Sequence, residues 1–151
     1  MAMYAEGCNR ILHAGFNAMT THLIPLLDHL TSHRLLVVGD VMLDRFIYGQ
    51  VERISPEAPI PVLRIQREAL TLGGAGNVVR NIVALGGTVD CVGVIGRDQA
   101  GNDITQHIKT LAGITPHLIE DATRPTTQKT RYVAEGQQLL RADQEIAGAV
   151  S

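Results

Sequence analysis

The stretch from Leu72 to Asp98, LGGAGNVVRNIVALGGTVDCVGVIGRD, constrains this chain more than any other, because it joins a glycine-rich turn to a helix and the helix to a buried strand. Gly73, Gly74 and Gly76 have no Cβ, so backbone N–H groups there can approach a bound molecule, and the helix that follows adds the positive end of its dipole. A polar ligand suits such a turn. Val78, Val79, Ile82 and Val83 form one apolar stripe at helical spacing, Gly86-Gly87 supplies the stop, and Val89 to Ile95 reads as a strand. Asn77 is placed to cap the helix, to contact the ligand, or to do both. Two common glycine-loop chemistries do not fit. A dinucleotide fingerprint needs a third glycine where Val79 stands, and a P-loop needs a Gly-Lys-Ser/Thr run that the stretch lacks.

Upstream, Leu35-Leu36-Val37-Val38 is an unbroken apolar run ending in Gly39-Asp40, the pattern of a parallel strand covered on both faces. Ligands in open α/β sheets bind beyond the carboxyl ends of such strands, which points to Asp40 to Asp44. Asp44 is the stronger candidate; Asp40 reads chiefly as a turn or capping carboxylate. The segments 45–48, 51–54 and 62–66 read as short strands, since Pro56, Pro59 and Pro61 forbid a crossover helix, and together they predict a small sheet covering the site. Phe46 and Tyr48 share one face of it and pack within it. Farther on, Ile104, His107, Ile108 and Leu111 mark a second helix stopped by Gly113, and His117 to Glu120 a short strand. Asp98 reads as a turn residue. Strands over 128–133 and 137–141 flank Glu135-Gly136, a tight hairpin that completes the covering sheet. Lys129 and Arg131 alternate toward one face there. They suit a phosphate carried by the substrate, which arginine can bind bidentately, or an ordinary solvated edge.

The glycine pair Gly73-Gly74, Asn77, Gly86 and Gly96 resemble the first signature of the ribokinase-like (PfkB) sugar kinases, with Val79 departing from the family's small residue. LLVVGDVMLDRFIYGQVERISPEAPIPVLRI followed by LGGAGNVVRNIVALG is more specific, and is similar to the start of the heptose 7-phosphate kinases over about Leu26 to Glu145. The resemblance implies an α/β, ribokinase-like fold in residues 19–151: a mostly parallel sheet flanked by helices, with a small β-sheet lid over about 45–67 and 128–141. It implies ATP-dependent phosphorylation of D-glycero-D-manno-heptose 7-phosphate at its anomeric oxygen, on the way to ADP-heptose for the lipopolysaccharide core, often with an adenylyltransferase attached. Asp44 matches the family's aspartate that accepts hydrogen bonds from sugar hydroxyls, so the expected substrate-binding residues are Asp44, Gly73, Gly74, Asn77, Lys129 and Arg131. The family keeps its base in a later Gly-Ala-Gly-Asp turn and binds ATP and Mg²⁺ in the same C-terminal half. That motif is not present up to Ser151, so the chain corresponds to an N-terminal half with no catalytic, cofactor or metal residues of its own, inactive alone. Truncation, a split gene and a partial sequence would look the same. Lids of this family often pair between subunits, which implies a homodimer. The alternative is a non-catalytic sugar-phosphate-binding or assembly module derived from such a kinase, and the reading frame after Ser151 separates the two.

At 151 residues with 45% hydrophobic content and a net charge of −2, one core burying roughly 70% of the unfolded surface is expected. With 3% aromatic residues and no Lys/Arg run, the chain offers no footprint for nucleic acid. No apolar run approaches a membrane span and no signal peptide is evident, so a cytoplasmic location is expected. Cys8 and Cys91 form no C-x-x-C pair, and His29 and His33 have i, i+4 spacing without a carboxylate; packed thiols and surface histidines are the expected roles. Residues 1–18 show no period and read as a weakly ordered extension, Met19 being an alternative start. Thr21 caps a predicted short helix whose Leu23, Leu26, Leu27 and Leu30 face the sheet.

Overall fold

The computed structural model describes residues 33–149; the N-terminal extension and the helix expected after Thr21 lie outside them. The chain opens with β1 (Arg34–Val38), then two long strands, β2 (Val41–Ile54) and β3 (Pro61–Gly74), and helix α1 (Ala75–Ala84). Strand β4 (Thr88–Ile95), helix α2 (Gln99–Lys109), strand β5 (Ile114–Glu120) and the hairpin of β6 (Gln128–Ala134) and β7 (Gln137–Gln144) follow. The strands form two sheets. One is parallel, in the order β1-β4-β5; the other is mixed, in the order β3-β2-β6-β7. The α/β class holds, but the parallel sheet is the smaller of the two.

Alternation along β4 explains the first layer: Val89, Cys91 and Ile95 are buried and face the helices. Helix α1 supplies Val79, fully buried, with Ile82 and Val83 packed at the edge of the same cluster. Val78, expected in that stripe, is 49% exposed, because a residue one position from Val79 is rotated by about 100° on a helix. Helix α2 adds Ile104 and Ile108, both sealed from solvent. Burial pushes the Cys91 thiol up from its ordinary range, as suits a packed, unreactive cysteine.

The expectation that β1 is covered on both faces is not met. Leu36 and Val38 are 67% and 69% exposed, because α1 and α2 occupy only the opposite face and nothing among the described residues covers this one.

The expected short strands also merge. Segments 45–48 and 51–54 are parts of the single strand β2, and 62–66 is the start of β3. Gly49 does not interrupt the ladder: it absorbs a register shift at Tyr48/Gly49, where a Cβ would meet the Arg64 carbonyl and, at 2.9 Å, the Leu63 side chain. Pro56 and Pro59 fall in the connection between the strands and Pro61 at the first position of β3, where a missing N–H is tolerated. β5 starts at Ile114, earlier than expected. The β6–β7 hairpin turns at Glu135 and Gly136, with φ of 51° and 80°, the left-handed pair that a two-residue type I′ turn demands.

Both sheets grow from one core. Val41 and Leu43 at the root of β2, and Leu72 at the end of β3, are buried with Val79, Val89, Cys91, Ile95, Ile104 and Ile108. Each fully buried aliphatic side chain there stabilises the fold by about 1.5–3 kcal/mol. The far ends of β2 and β3 project beyond this core: Ile54 is 61% exposed and Ile65 54%.

Candidate functional site

Because side chains alternate along a strand, Met42, Asp44 and Phe46 of β2 point to the face opposite Val41, Leu43 and Ile47, away from the core. Cross-strand register then builds a polar row over the whole mixed sheet: Thr71 lies opposite Asp44, Asp44 opposite Lys129, and Lys129 opposite Asp143. In the next row Phe46 lies opposite Arg131, and Arg131 opposite Arg141.

Asp44 is the centre of this face. Its Oδ1 accepts a hydrogen bond from Arg131 Nη1 at 2.5 Å, with both side chains about four-fifths shielded from solvent. Its Oδ2 lies over Gly73, where an added Cβ would stand 2.6 Å away. Gly73 is thus required by the aspartate, a different reason from the backbone approach expected of it. Among the described residues nothing hydrogen-bonds Oδ2.

Gly74 ends β3 with φ 55° and ψ −130°, and a Cβ there would collide with the Asp40 carbonyl. The first N–H of α1, that of Ala75, donates to that same carbonyl at 2.9 Å, so part of the expected anion-binding turn is already filled by protein. Gly76 is buried against Leu72 and serves helix packing rather than ligand approach. Asn77 does not cap α1: the cap residue is Gly74, with no side-chain bond. Asn77 Oδ1 instead accepts from Arg80 Nη2 at 3.0 Å, while Arg80 Nη1 donates to Thr71 Oγ1 at 2.7 Å.

Lys129 does not share a ligand site with Arg131 as an unpaired cation. Its ammonium donates to Asp143 Oδ2 at 3.0 Å and Glu145 Oε2 at 3.1 Å, bonds that raise its pKa. Asp143 is held below the usual carboxylate range by Lys129 first and by Arg141 second, whose Nε lies 2.9 Å away. The Arg131 guanidinium also lies 5.1 Å over the Phe46 ring, Phe46 stacks on Tyr48, and Arg67 covers Tyr48 from 3.6 Å. This ladder fixes the slope of Arg131 toward Asp44.

Asp98 stands apart as a structural residue. Oδ1 accepts from the Gly101 N–H, capping α2, and Oδ2 accepts from the Thr126 N–H. Burial pushes its carboxyl up, but the bonds from Thr126 and Gly101 outweigh it and leave the pKa lowered.

Next to the polar face lies a cavity of about 430 Å³. It opens beyond the ends of β1 and β4, between Val38–Val41 and Val92–Val94, and Arg124, Pro125 and Glu145–Gly148 close it. Met42, which lies opposite Gly73, and Glu145, which holds Lys129, line it and connect it to the row containing Asp44. None of Asp44, Gly73, Gly74, Asn77, Lys129 and Arg131 lines the cavity itself, but the carboxylate, carboxamide and cations of the polar face can hold a polyhydroxylated, anionic molecule by hydrogen bonds. Sequence reasoning missed Thr71, Arg80, Arg141 and Asp143; Arg80 alone had a signal, lying one helical turn from Asn77.

This arrangement of sheets, helices and polar strand roots is that of the ribokinase-like folds. The pfkB family carbohydrate kinase model matches residues 32–149, and the chain belongs to that family. Among curated relatives it is 57% identical over 114 residues to the bifunctional protein HldE of Caulobacter sp. strain K31, covering 76% of this chain and 23% of that protein. It is 54% identical over 128 residues to HldE of Paramagnetospirillum magneticum, covering 85% and 26%. The chain thus spans about a quarter of the length of these relatives. Of solved structures, a carbohydrate kinase from Agrobacterium tumefaciens superposes with a TM-score of 0.59 at 24% identity, over 73% of this chain and 34% of that one. Ribokinase from Giardia lamblia gives 0.52 at 23%, over 73% and 35%. Among the described residues no helix is long and apolar enough to cross a membrane.

Proposed function

We propose that this chain is the sugar-binding part of an ATP-dependent kinase acting on D-glycero-D-manno-heptose 7-phosphate at the anomeric oxygen. The observation that carries the reading is the Asp44 carboxylate, fixed by Arg131 on one oxygen and presenting the other, without a hydrogen-bond partner among the described residues, over Gly73. The high identity to HldE proteins supports the heptose assignment. In this reading Asp44 accepts hydrogen bonds from sugar hydroxyls, Asn77 donates to a sugar oxygen, and Arg131 with Lys129 sets the charge that receives the substrate's phosphate. Positioning of this kind lowers the entropic part of the barrier to phosphoryl transfer.

The described residues offer no arrangement that fits ATP and Mg²⁺. Among the described residues no group of three His, Cys, Asp or Glu side chains is arranged to hold a metal ion, and the first N–H of α1 is taken by Asp40. In this reading the described residues serve the acceptor, and nucleotide, metal and proton-accepting carboxylate belong to the rest of the kinase. Proton transfer alone contributes typically 10²–10⁴-fold. Residues 1–151 alone should accordingly give no ATP-dependent phosphorylation of the heptose phosphate, with activity restored by the C-terminal part of an HldE relative in cis or in trans. Turnover by the isolated chain would overturn that division of labour. The same reading makes the exposed β7 edge, with Leu139 and Leu140 at 45% and 59% exposure, a pairing surface between two copies; sedimentation of a monomer at high concentration would count against it.

A further inference from the structure

We infer that Arg80 is a positioning residue of the sugar-binding face, a two-pronged clamp that decides which way the Asn77 carboxamide points. The inference rests on the reading of the Asp44 face as the sugar site. Arg80 sits on α1 and reaches back across the Gly73–Gly74 junction: Nη1 donates to Thr71 Oγ1 at 2.7 Å and Nη2 to Asn77 Oδ1 at 3.0 Å. A guanidinium has only donors, so any group it meets must present an acceptor. Asn77 satisfies it in one orientation alone, with Oδ1 toward Arg80 and the Nδ2 amide turned away. Among the described residues no acceptor occupies Nδ2. Thr71 gives its oxygen to the other prong, which leaves its hydroxyl hydrogen to donate in turn, and Thr71 lies directly opposite Asp44.

The consequence is a matched pair of polarities. Asp44 Oδ2 can only accept, whereas Asn77 Nδ2 and the Thr71 hydroxyl are left as donors. A ligand meeting both needs one hydroxyl that donates and a neighbouring oxygen that accepts, which is what adjacent hydroxyls of a sugar ring provide. Without Arg80 the carboxamide can flip and offer the ligand its oxygen in place of its N–H, so that an oxygen of the ligand meets an acceptor and the second contact is lost. Lysine at this position, a point donor on a flexible stem, can hold one prong at a time.

Binding of D-glycero-D-manno-heptose 7-phosphate to the full chain tests this by calorimetry, together with the side-chain ¹⁵N resonance of Asn77 and the thermal midpoint. Arg80→Met should weaken binding roughly three- to tenfold, the range of one hydrogen bond, with a shifted Asn77 side-chain resonance and a little-changed midpoint. Arg80→Lys should recover part of the affinity. Asn77→Asp should lose affinity although Arg80 can still pair with it, because the carboxamide donor is gone and only the Thr71 hydroxyl can still donate. If Asp44→Asn weakens binding while Arg80→Met leaves affinity and the Asn77 resonance unchanged, the clamp is wrong and the sugar site stands. Should neither variant change affinity, the site reading itself falls. A loss that follows the thermal midpoint, without movement of the Asn77 resonance or rescue by lysine, overturns the clamp in favour of plain bracing of the helix.

Discussion

The two sheets divide the work of this molecule unequally. The parallel sheet β1-β4-β5 spends its alternation on burial: Val89, Cys91 and Ile95 meet the helices, and its open face carries apolar side chains with a single charged cluster at one end. The mixed sheet places polar and charged groups side by side from Thr71 to Asp143 and joins the main core at the roots of β2 and β3. Asp44 stands next to Leu43, so the residue that carries the chemistry is anchored by the residue that carries the packing. A site needs its groups held to a fraction of an ångström, and a strand root embedded in the core provides that where the exposed strand tips could not.

The largest expected effect tests this anchoring. Leu43→Ala removes a side chain that is 1% exposed and should cost about 2–5 kcal/mol in denaturant unfolding, abolishing sugar binding together with the fold. Leu140→Ala, on the exposed β7, should stay within about 0.5 kcal/mol. Equal losses at the two positions would mean that the mixed sheet has a core of its own.

The parallel layer was legible in the sequence because its signals are local. The helical spacing of Val79, Ile82 and Val83 and the run Val89 to Ile95 each report a single element. The mixed sheet was misread where its order depends on partners distant in sequence. Gly49 looks like a break until the Arg64 carbonyl is placed against it, and β2 looks like two short strands until β3 pairs along its length. Asp44 and Arg131 could each be named, but their contact spans 87 positions, and no pattern in the chain predicts that the cation expected to take a phosphate also holds the aspartate. Asn77 was placed near a helix start; that Gly74 and not Asn77 is the cap follows from a backbone angle that spacing does not encode.

Asp44→Asn separates packing from binding on the same strand. The carboxamide keeps the volume but loses the charge that Arg131 and the sugar share, so affinity for the heptose phosphate should fall by about 1.5–3 kcal/mol while the fold survives. Calorimetry on the full chain decides it. An unchanged dissociation constant would reduce Asp44 to a structural partner of Arg131.

Gly73→Ala approaches the same carboxylate from beneath. The new methyl would lie 2.6 Å from Asp44 Oδ2 and 2.8 Å from Met42 Cγ, and overpacking of this kind costs about 1–3 kcal/mol. Weaker sugar binding should accompany the stability loss, because the aspartate must move. If binding survives a fully displaced stability curve, Gly73 shapes the sheet and not the site.

The smallest effect belongs to the parallel sheet, where Arg34 donates to both oxygens of Asp90 and His117 Nε2 lies 3.0 Å from Oδ1. The hydrogen bond from Arg34, then that from His117, pulls the Asp90 carboxyl down to about 2 from its ordinary 3.8. A depressed carboxylate stabilises the folded state above its ordinary value and loses that contribution as the pH falls toward the folded one. The contribution should therefore fade between about 3.8 and about 2, and only there. Arg34→Gln should raise the Asp90 midpoint toward its ordinary value in a carboxyl-carbon NMR titration and flatten the acid limb of the thermal stability curve, leaving stability at neutral pH little changed because the pair is exposed to solvent. Heptose phosphate affinity should not change at all, since none of Arg34, Asp90 and His117 touches the Asp44 row. An affinity loss in this variant would show that the two sheets are coupled and break the division between them.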